Sequence, residues 1–425
     1  MGTASTLSRE RFALLFTVML VAAAGNTAMQ SLMPSIGRAL RIPDLWIAIA
    51  FSLSAVIWVF TAPHWARRAD HRGRRALMRL GLYGFILSMT ICGAVLAAGL
   101  AGVVAPMAVF VIFIFGRAVY GTWGSASPPA VQAYIAARTE GEERTRYLSA
   151  LASSFGLGTI IGPAIAPLFI FHPLGLSGPL VVFAAIGTAV LAFLVLRLPD
   201  DTPRSSARGR VADYPSIGGA GVSPGQEQAA EPTPLRWRDP RVVGWHAIGV
   251  IGGHGQAAML GVIGFLVIDR LGLPPSDAQH SIAIVLMAGA AASLLAQWGL
   301  IPYLALTPRQ LVIWGLVASA AGTVWTGLAA DMYQITLGFG LASLGFGFFR
   351  PGFTSGASLA VHPSEQNAVA GMVTSVNGVA YIGAPAIGVW LYGMWMPLPF
   401  LVTGALLVGL AAWVLLAFSP SDPAA

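Results

Sequence analysis

The stretch "TIIGPAIAPLFIF", Thr159 to Phe171, is an apolar run that holds Gly162, Pro163 and Pro167 where an unbroken helix is expected. A second run, "YIGAPAIGVWLYG" from Tyr381 to Gly393, is a rough copy of it. Proline inside a water-exposed helix costs about 3 kcal/mol, because it removes a hydrogen bond and its ring strikes the preceding turn. Inside a bilayer, neighbouring helices re-satisfy the freed backbone groups and such residues are tolerated. A chain that keeps these breakers twice therefore reads as a membrane protein.

Composition points the same way. Of 425 residues, 56% are hydrophobic and only 10% charged, against about 25% charged in a soluble domain. A helix needs about 20 apolar residues to cross about 30 Å of hydrocarbon. That rule places spans at 12–34, 46–66, 76–100, 106–128, 145–171 and 177–197, then at 243–268, 278–301, 311–330, 334–358, 367–392 and 397–418. The expected organisation is a six-helix bundle over 1–197, a largely disordered cytoplasmic linker over 198–242, and a second six-helix bundle over 243–425. The linker is rich in Pro, Gly, Ser and charge, which cannot build a core. No cleavable signal is expected, since the first apolar run is long and lacks a small-residue cleavage site. The lone cysteine, Cys92, allows neither a disulfide nor a cysteine-based metal site and reads as a small core residue. No metal and no cofactor are expected.

Orientation rests on arginine, because the chain contains no lysine. With the N-terminus inside, only Arg38, Arg41 and Arg270 fall outside, and Arg117 and Arg350 fall within spans, away from their cytoplasmic ends. All the other arginines are then cytoplasmic, which predicts both termini inside. The net charge of +7 thus reports topology, and no nucleic-acid partner is expected.

The two halves repeat. An offset of 222 residues pairs Pro129 with Pro351, Glu143 with Glu365, Gly156 with Gly378 and Pro163 with Pro385, and it superimposes "PAI" at 163–165 on "PAI" at 385–387. Parallel six-span repeats are a known transporter design in which the halves rock about a central site. Between spans 2 and 3 lies "WARRADHRGRRALMRLG", Trp65 to Gly81, a cluster of arginines with one acid, Asp70. Asp70 is expected to cap span 3 and to latch the cytoplasmic helix ends, or else the cluster is a plain positive-inside anchor. At an offset of 234, Arg309 falls on Arg75 and Gly315 on Gly81, while Leu304 stands where Asp70 would be.

"ADHRGRR" resembles the loop signature of the major facilitator superfamily, with Asp70, Gly73, Arg74 and Arg75 matching; Ala66 replaces the leading Gly and His71 the first basic residue. "FGRAVYGTWGSASPPAVQAYIA", Phe115 to Ala136, is similar to its span-4 motif, with Arg117 and Gly121 in register. "GTIIGP", Gly158 to Pro163, resembles the span-5 motif of the antiporter branch, although Ala166 and Pro167 replace its final glycines. The run Arg117 to Leu168 looks like the tetracycline-efflux type of drug:H⁺ antiporter. The resemblance implies the all-α fold of twelve transmembrane helices in two pseudo-symmetric bundles. It implies a secondary exporter of a drug or small metabolite, driven by protons, in the inner membrane, working as a monomer.

One departure matters. Tetracycline exporters resemble one another in an Asp in span 1, where this chain has Asn26, and none of its 17 Asp and Glu residues falls deep in a span. Intramembrane ionisable groups are functional candidates by default. Arg117 is read either as a bridge between backbone carbonyls or as a coupling and substrate residue. His254, in "GGHGQAAM", is read either as a helix–helix hydrogen bond or as a proton carrier, since histidine changes charge in the physiological range. Asn26 and Gln30 in span 1, and Gln256 at the offset of 230 from Asn26, are candidate substrate contacts. Arg350 is read first as interfacial and second as ligand-binding. The expected gating set is Asp70, Gly73, Arg74, Arg75, Arg117, Gly158, Gly162, Pro163 and Pro385. An organic-anion or lipid transporter using the arginines as charge partners is the second reading. A membrane enzyme is disfavoured, because no nucleotide loop, paired intramembrane acids or Cys/His cluster is present.

Overall fold

The computed structural model describes residues 7–139, 141–199, 235–361 and 365–418. Every long element is helical. The first half holds α1 (Arg9–Ala39), α2 (Asp44–Arg72), α3 (Arg74–Leu100), α4 (Pro106–Trp123), α5 (Ser127–Ala136), α6 (Gly141–Ile165) and α7 (Gly178–Arg197). The second holds α8 (Pro240–Leu271), α9 (Pro275–Leu294), α10 (Ile301–Leu304), α11 (Pro308–Leu328), α12 (Met332–Leu359), α13 (Gln366–Met394) and α14 (Leu398–Leu416). Among the described residues, ten helical stretches are long and apolar enough to cross a membrane. The helix at Gly141–Ile165 and α13 stand where the fifth and eleventh predicted spans lie.

Helices outrun the predicted apolar cores because their caps sit in the flanking polar residues. Ser8 accepts from the Arg11 amide at 3.3 Å, and Asp331 accepts from the Gln334 amide at 2.9 Å. Thr307 and Gln310 form a reciprocal capping box at the start of α11. Asp239 caps α8, so that helix starts at Pro240, inside the stretch expected to be linker; residues 200–234 of that stretch lie outside the described residues.

Proline explains the breaks. Pro128 and Pro129 interrupt span 4, and the chain crosses the gap as a 3₁₀ turn, Gly124–Ala126, before α5 resumes. Pro163 is tolerated inside α6, whereas Pro167 ends it: the α-helix stops at Ile165 and a 3₁₀ turn follows over Ala166–Phe169. Pro167 is therefore a terminator rather than the interior residue expected. In span 8, Pro302 cannot donate to the Trp298 carbonyl, and the chain widens into a π-helical stretch, Leu295–Leu300, just before it.

The chain divides into two compact units, described separately. In one, α1 lies along α6 and α3 along α4 and α7; in the other, α8 lies along α13 and α11 along α12 and α14. The same pairing thus recurs in both units. Phe85, Phe113 and Leu32 are fully buried in the first, and Phe339, Phe346, Phe349, Phe353 and Phe400 in the second. Outward faces stay apolar: Phe60 is 75% and Leu196 78% exposed. Such surface suits hydrocarbon rather than water.

Candidate functional site

The paired breakers sit on helix seams built from small residues. Along α1 and α6, a methyl group at Gly158 would lie 2.7 Å from Ala23 Cβ, and one at Gly162 would strike the Ala24 carbonyl and Thr27 Oγ1. Thr27 Oγ1 donates to the Gly158 carbonyl across this seam at 3.3 Å. In the second unit the offset of 222 turns these glycines into Ala380 and Ala384, which are buried with Ala257. There the glycines have moved to the partner helix: a methyl at Gly253 would stand 3.2 Å from Ala380 Cβ, and one at Gly261 2.9 Å from Pro385 Cα. Small residues every fourth position let helices approach closely where lipid offers no hydrophobic drive. Gly158, Gly162, Pro163 and Pro385 therefore share one kind of place, once in each unit.

The α8–α13 pair is also bonded at both ends. Arg241 makes a two-pronged pair with Glu365, Nη1 to Oε2 at 2.8 Å and Nη2 to Oε1 at 2.9 Å. It donates to Asp239 as well, at 3.0 and 2.9 Å, and these bonds hold the Asp239 carboxyl below its ordinary pKa. At the far end Tyr392 Oη donates to Asp269 Oδ2 at 2.8 Å.

Arg117 lies in α4 at 3% exposure. Its guanidinium stands over the Tyr120 ring, 5.1 Å from the centroid, and Nη1 points at Met29 Sδ at 3.8 Å. Its carbonyl accepts from Ser54 Oγ at 3.1 Å. One turn further on, Thr61 Oγ1 donates to the Gly121 carbonyl at 2.9 Å and Trp65 Nε1 to the Thr122 carbonyl at 2.6 Å. Thus α2 supplies donors where the 3₁₀ break disturbs the ladder of α4, and that anchors the turn bearing Arg117. Ser54, Thr61 and Trp65 escaped the sequence reading, although spacings of seven and four put them on one helix face.

Met29 links Arg117 to span 1, one turn from Asn26. Asn26 is half-buried, and its Oδ1 is buried without a hydrogen-bond partner among the described residues. A buried acceptor left open is costly. Gln30 is exposed. In the second unit His254 and Gln256 are half-buried on α8. His254 Nδ1 lies 2.7 Å from the Val250 carbonyl. A carbonyl only accepts, so Nδ1 carries the hydrogen and Nε2 is the basic nitrogen.

The loop motif divides into parts. Gly73 is the N-cap of α3, with φ 84° and ψ 139°, a backbone only glycine adopts freely. Asp70 belongs to the last turns of α2, and its side chain, with the capping and latch expected of it, lies outside the described residues; the N-cap position of α3 is Gly73. Arg74 is half-buried. Arg75 Nη2 donates to the Val195 carbonyl, in the last turn of α7. Its counterpart Arg309 donates to the Val414 and Leu415 carbonyls of α14, both at 3.0 Å. Terminal carbonyls lack partners and carry partial negative charge, so an arginine there satisfies both needs. In both units this motif position closes a helix end.

A family model described as Major Facilitator Superfamily matches residues 14–307. "Multidrug resistance protein 2" of Bacillus subtilis is 23% identical over 428 residues, 97% of this chain and 97% of that protein. "Tetracycline resistance protein, class D" of Salmonella ordonez is 30% identical over 155 residues, 36% of each chain. Among solved structures, a bacterial homolog of the human lysosomal transporter Spinster, inward-facing and unoccupied, superimposes with a TM-score of 0.75 at 11% identity, covering 96% of this chain and 98% of that one.

Proposed function

This chain belongs to the Major Facilitator Superfamily of membrane transporters, and we propose that it exports a drug or small metabolite by alternating access, in antiport with protons. The observation that carries this reading is the repeated seam. One helix pair in each unit, α1 with α6 and α8 with α13, is packed through small residues around an intrahelical proline at the same repeat position. A pair joined this closely moves as a body, which is what rocking between two access states requires. The names of the multidrug and tetracycline relatives support the outward direction.

In this reading both termini are cytoplasmic, the membrane is the inner one, and the working form is a monomer. Asn26, Gln30, Arg117, His254 and Gln256 meet the substrate. His254 Nε2 carries the proton that an intramembrane carboxylate would otherwise carry. Arg117, held by Ser54 and lying on Tyr120, belongs to coupling, and the loop of Asp70, Gly73, Arg74 and Arg75 to gating.

The test is uptake of a panel of cationic, neutral and anionic dyes and antibiotics into inverted vesicles, with and without an imposed pH gradient. Gradient-driven uptake that an uncoupler abolishes is expected. Pro163→Leu should insert normally and transport at least about tenfold more slowly, since the leucine restores a straight helix and thickens the seam. Wild-type transport by a well-expressed Pro163→Leu protein removes the mechanical role; no transport of any panel member, with or without the gradient, removes the exporter reading.

A further inference from the structure

The second unit holds a cation that the sequence reading set at the interface. Arg350 lies about two and a half turns inside the end of α12 at Leu359, and so at membrane depth. It is half-buried. Its Nη2 donates to Asn377 Oδ1 on α13 at 3.2 Å. Asn377 Nδ2 in turn donates to the Val373 carbonyl at 3.0 Å. That second bond settles which way the amide faces: its oxygen, not its NH₂, is turned to the arginine. A guanidinium has five donors in a planar fork and no acceptor. Here its partner is a neutral amide, and no carboxylate among the described residues is in ion-pair range of it.

The helices α8, α12 and α13 meet at this level: Gly249 packs against Phe353 and Val376, and Gly252 against Phe349. Among the described residues, Gly253 has only Ala380 Cβ within 4 Å of where its own Cβ would stand. Ala380 is one turn from Asn377, and His254 follows Gly253 directly. We propose that Arg350, oriented by Asn377, is an anion-binding site that receives a carboxylate, sulfonate or phosphate group of the transported molecule. An oxyanion matches the fork of the guanidinium, with two parallel charge-assisted bonds in a partly desolvated place. Asn377 is a positioning residue. This inference rests on the transporter reading and narrows it: the substrates include organic anions.

The test uses full-length protein in detergent and two dyes built on related ring systems, anionic carboxyfluorescein and cationic rhodamine 6G, with binding read by fluorescence anisotropy. Carboxyfluorescein should bind the wild type, with an affinity that falls as salt rises, because half-exposed charge pairs are screened. Arg350→Gln should weaken that binding by about tenfold or more and flatten the salt dependence, the expected loss for a charge-assisted bond. Arg350→Lys should recover most of it, and Asn377→Ala should lose about threefold through misplacement of the fork. Rhodamine 6G should bind all four proteins alike. Absence of carboxyfluorescein binding to folded wild type overturns the site; so does equal binding by wild type and Arg350→Gln, or an equal loss for both dyes. Flux through vesicles separates this site from the reading beneath it. If neither dye moves while the binding pattern holds, the transporter reading fails and the site stands. If dye moves while the pattern is absent, the site fails and the transporter stands.

Discussion

Replacing Gly162 by alanine adds one methyl group to the tightest point of the α1–α6 seam. Ordinary contact begins at 3.4 Å, and the Ala24 carbonyl carbon lies 2.9 Å from where the methyl would stand, with the carbonyl oxygen nearer still. Both are backbone atoms of a helix and cannot turn aside. The helices must therefore part by at least about 0.5 Å, a gap that forfeits a quarter of the dispersion well in every neighbouring contact. The parting also pulls Thr27 Oγ1 from the Gly158 carbonyl, already 3.3 Å away. Overpacking of this kind costs about 1–3 kcal/mol, and two opposed backbones put it at the upper end. A loss of about 3 kcal/mol shifts the folding equilibrium more than a hundredfold. Gly409→Ala in α14 is the control: nothing lies within 4 Å of its added methyl, and helix propensity then favours alanine by up to about 1 kcal/mol. Thermal unfolding in detergent, followed by the loss of monodisperse protein, should move down for the first variant and level or up for the second. A Gly162→Ala midpoint at or above wild type refutes the tight seam and the rigid pair built on it.

Arg41 adopts φ 56° just past the end of α1, where the Ile42 amide bonds back to the Gly37 carbonyl at 2.9 Å. Glycine takes this backbone without the clash of a β-carbon, so Arg41→Gly should stabilise by about 1 kcal/mol, read as a raised unfolding midpoint. Acid should destabilise the N-terminal end of α8. The bonds from Arg241 depress the Asp239 pKa, so their stabilisation is complete above the ordinary carboxylate range and is lost as pH falls through the depressed value. An unfolding midpoint that drops as pH falls below the ordinary carboxylate range is expected, and Asp239→Asn should flatten that drop.

The membrane class, the order of spans and the repeat were legible because each rests on composition or on a fixed offset. Proline positions announced that spans would be broken, but not how. Pro163 stays within its helix and Pro167 ends one, a difference that residue type alone does not decide. The π-helical stretch before Pro302 has no sequence signature of its own. The candidate residues fared according to how local their chemistry is. Gly73 was visible only through the motif it matches; the positive φ that calls for glycine there shows in the structure. The carbonyls that Arg75 and Arg309 close lie more than a hundred residues away, so the charge pattern alone suggested a latch. Arg350 read as interfacial from its position on one helix; its partner Asn377 sits on another, 27 residues on.

The bonds at the two ends of α8 and α13 give an experimenter a built-in ruler. Asp239 and Asp269 stand about 45 Å apart along α8, and each end is tied to α13, by Glu365 through Arg241 and by Tyr392. Sliding one helix past the other by a single turn, about 5.4 Å, would break both ties at once. A pair of spin or fluorescent labels placed on α8 and α13 should thus report one constant separation whatever the transport state. Such a pair calibrates the labels, reveals damaged protein, and lets any change seen from a third label be assigned to real motion.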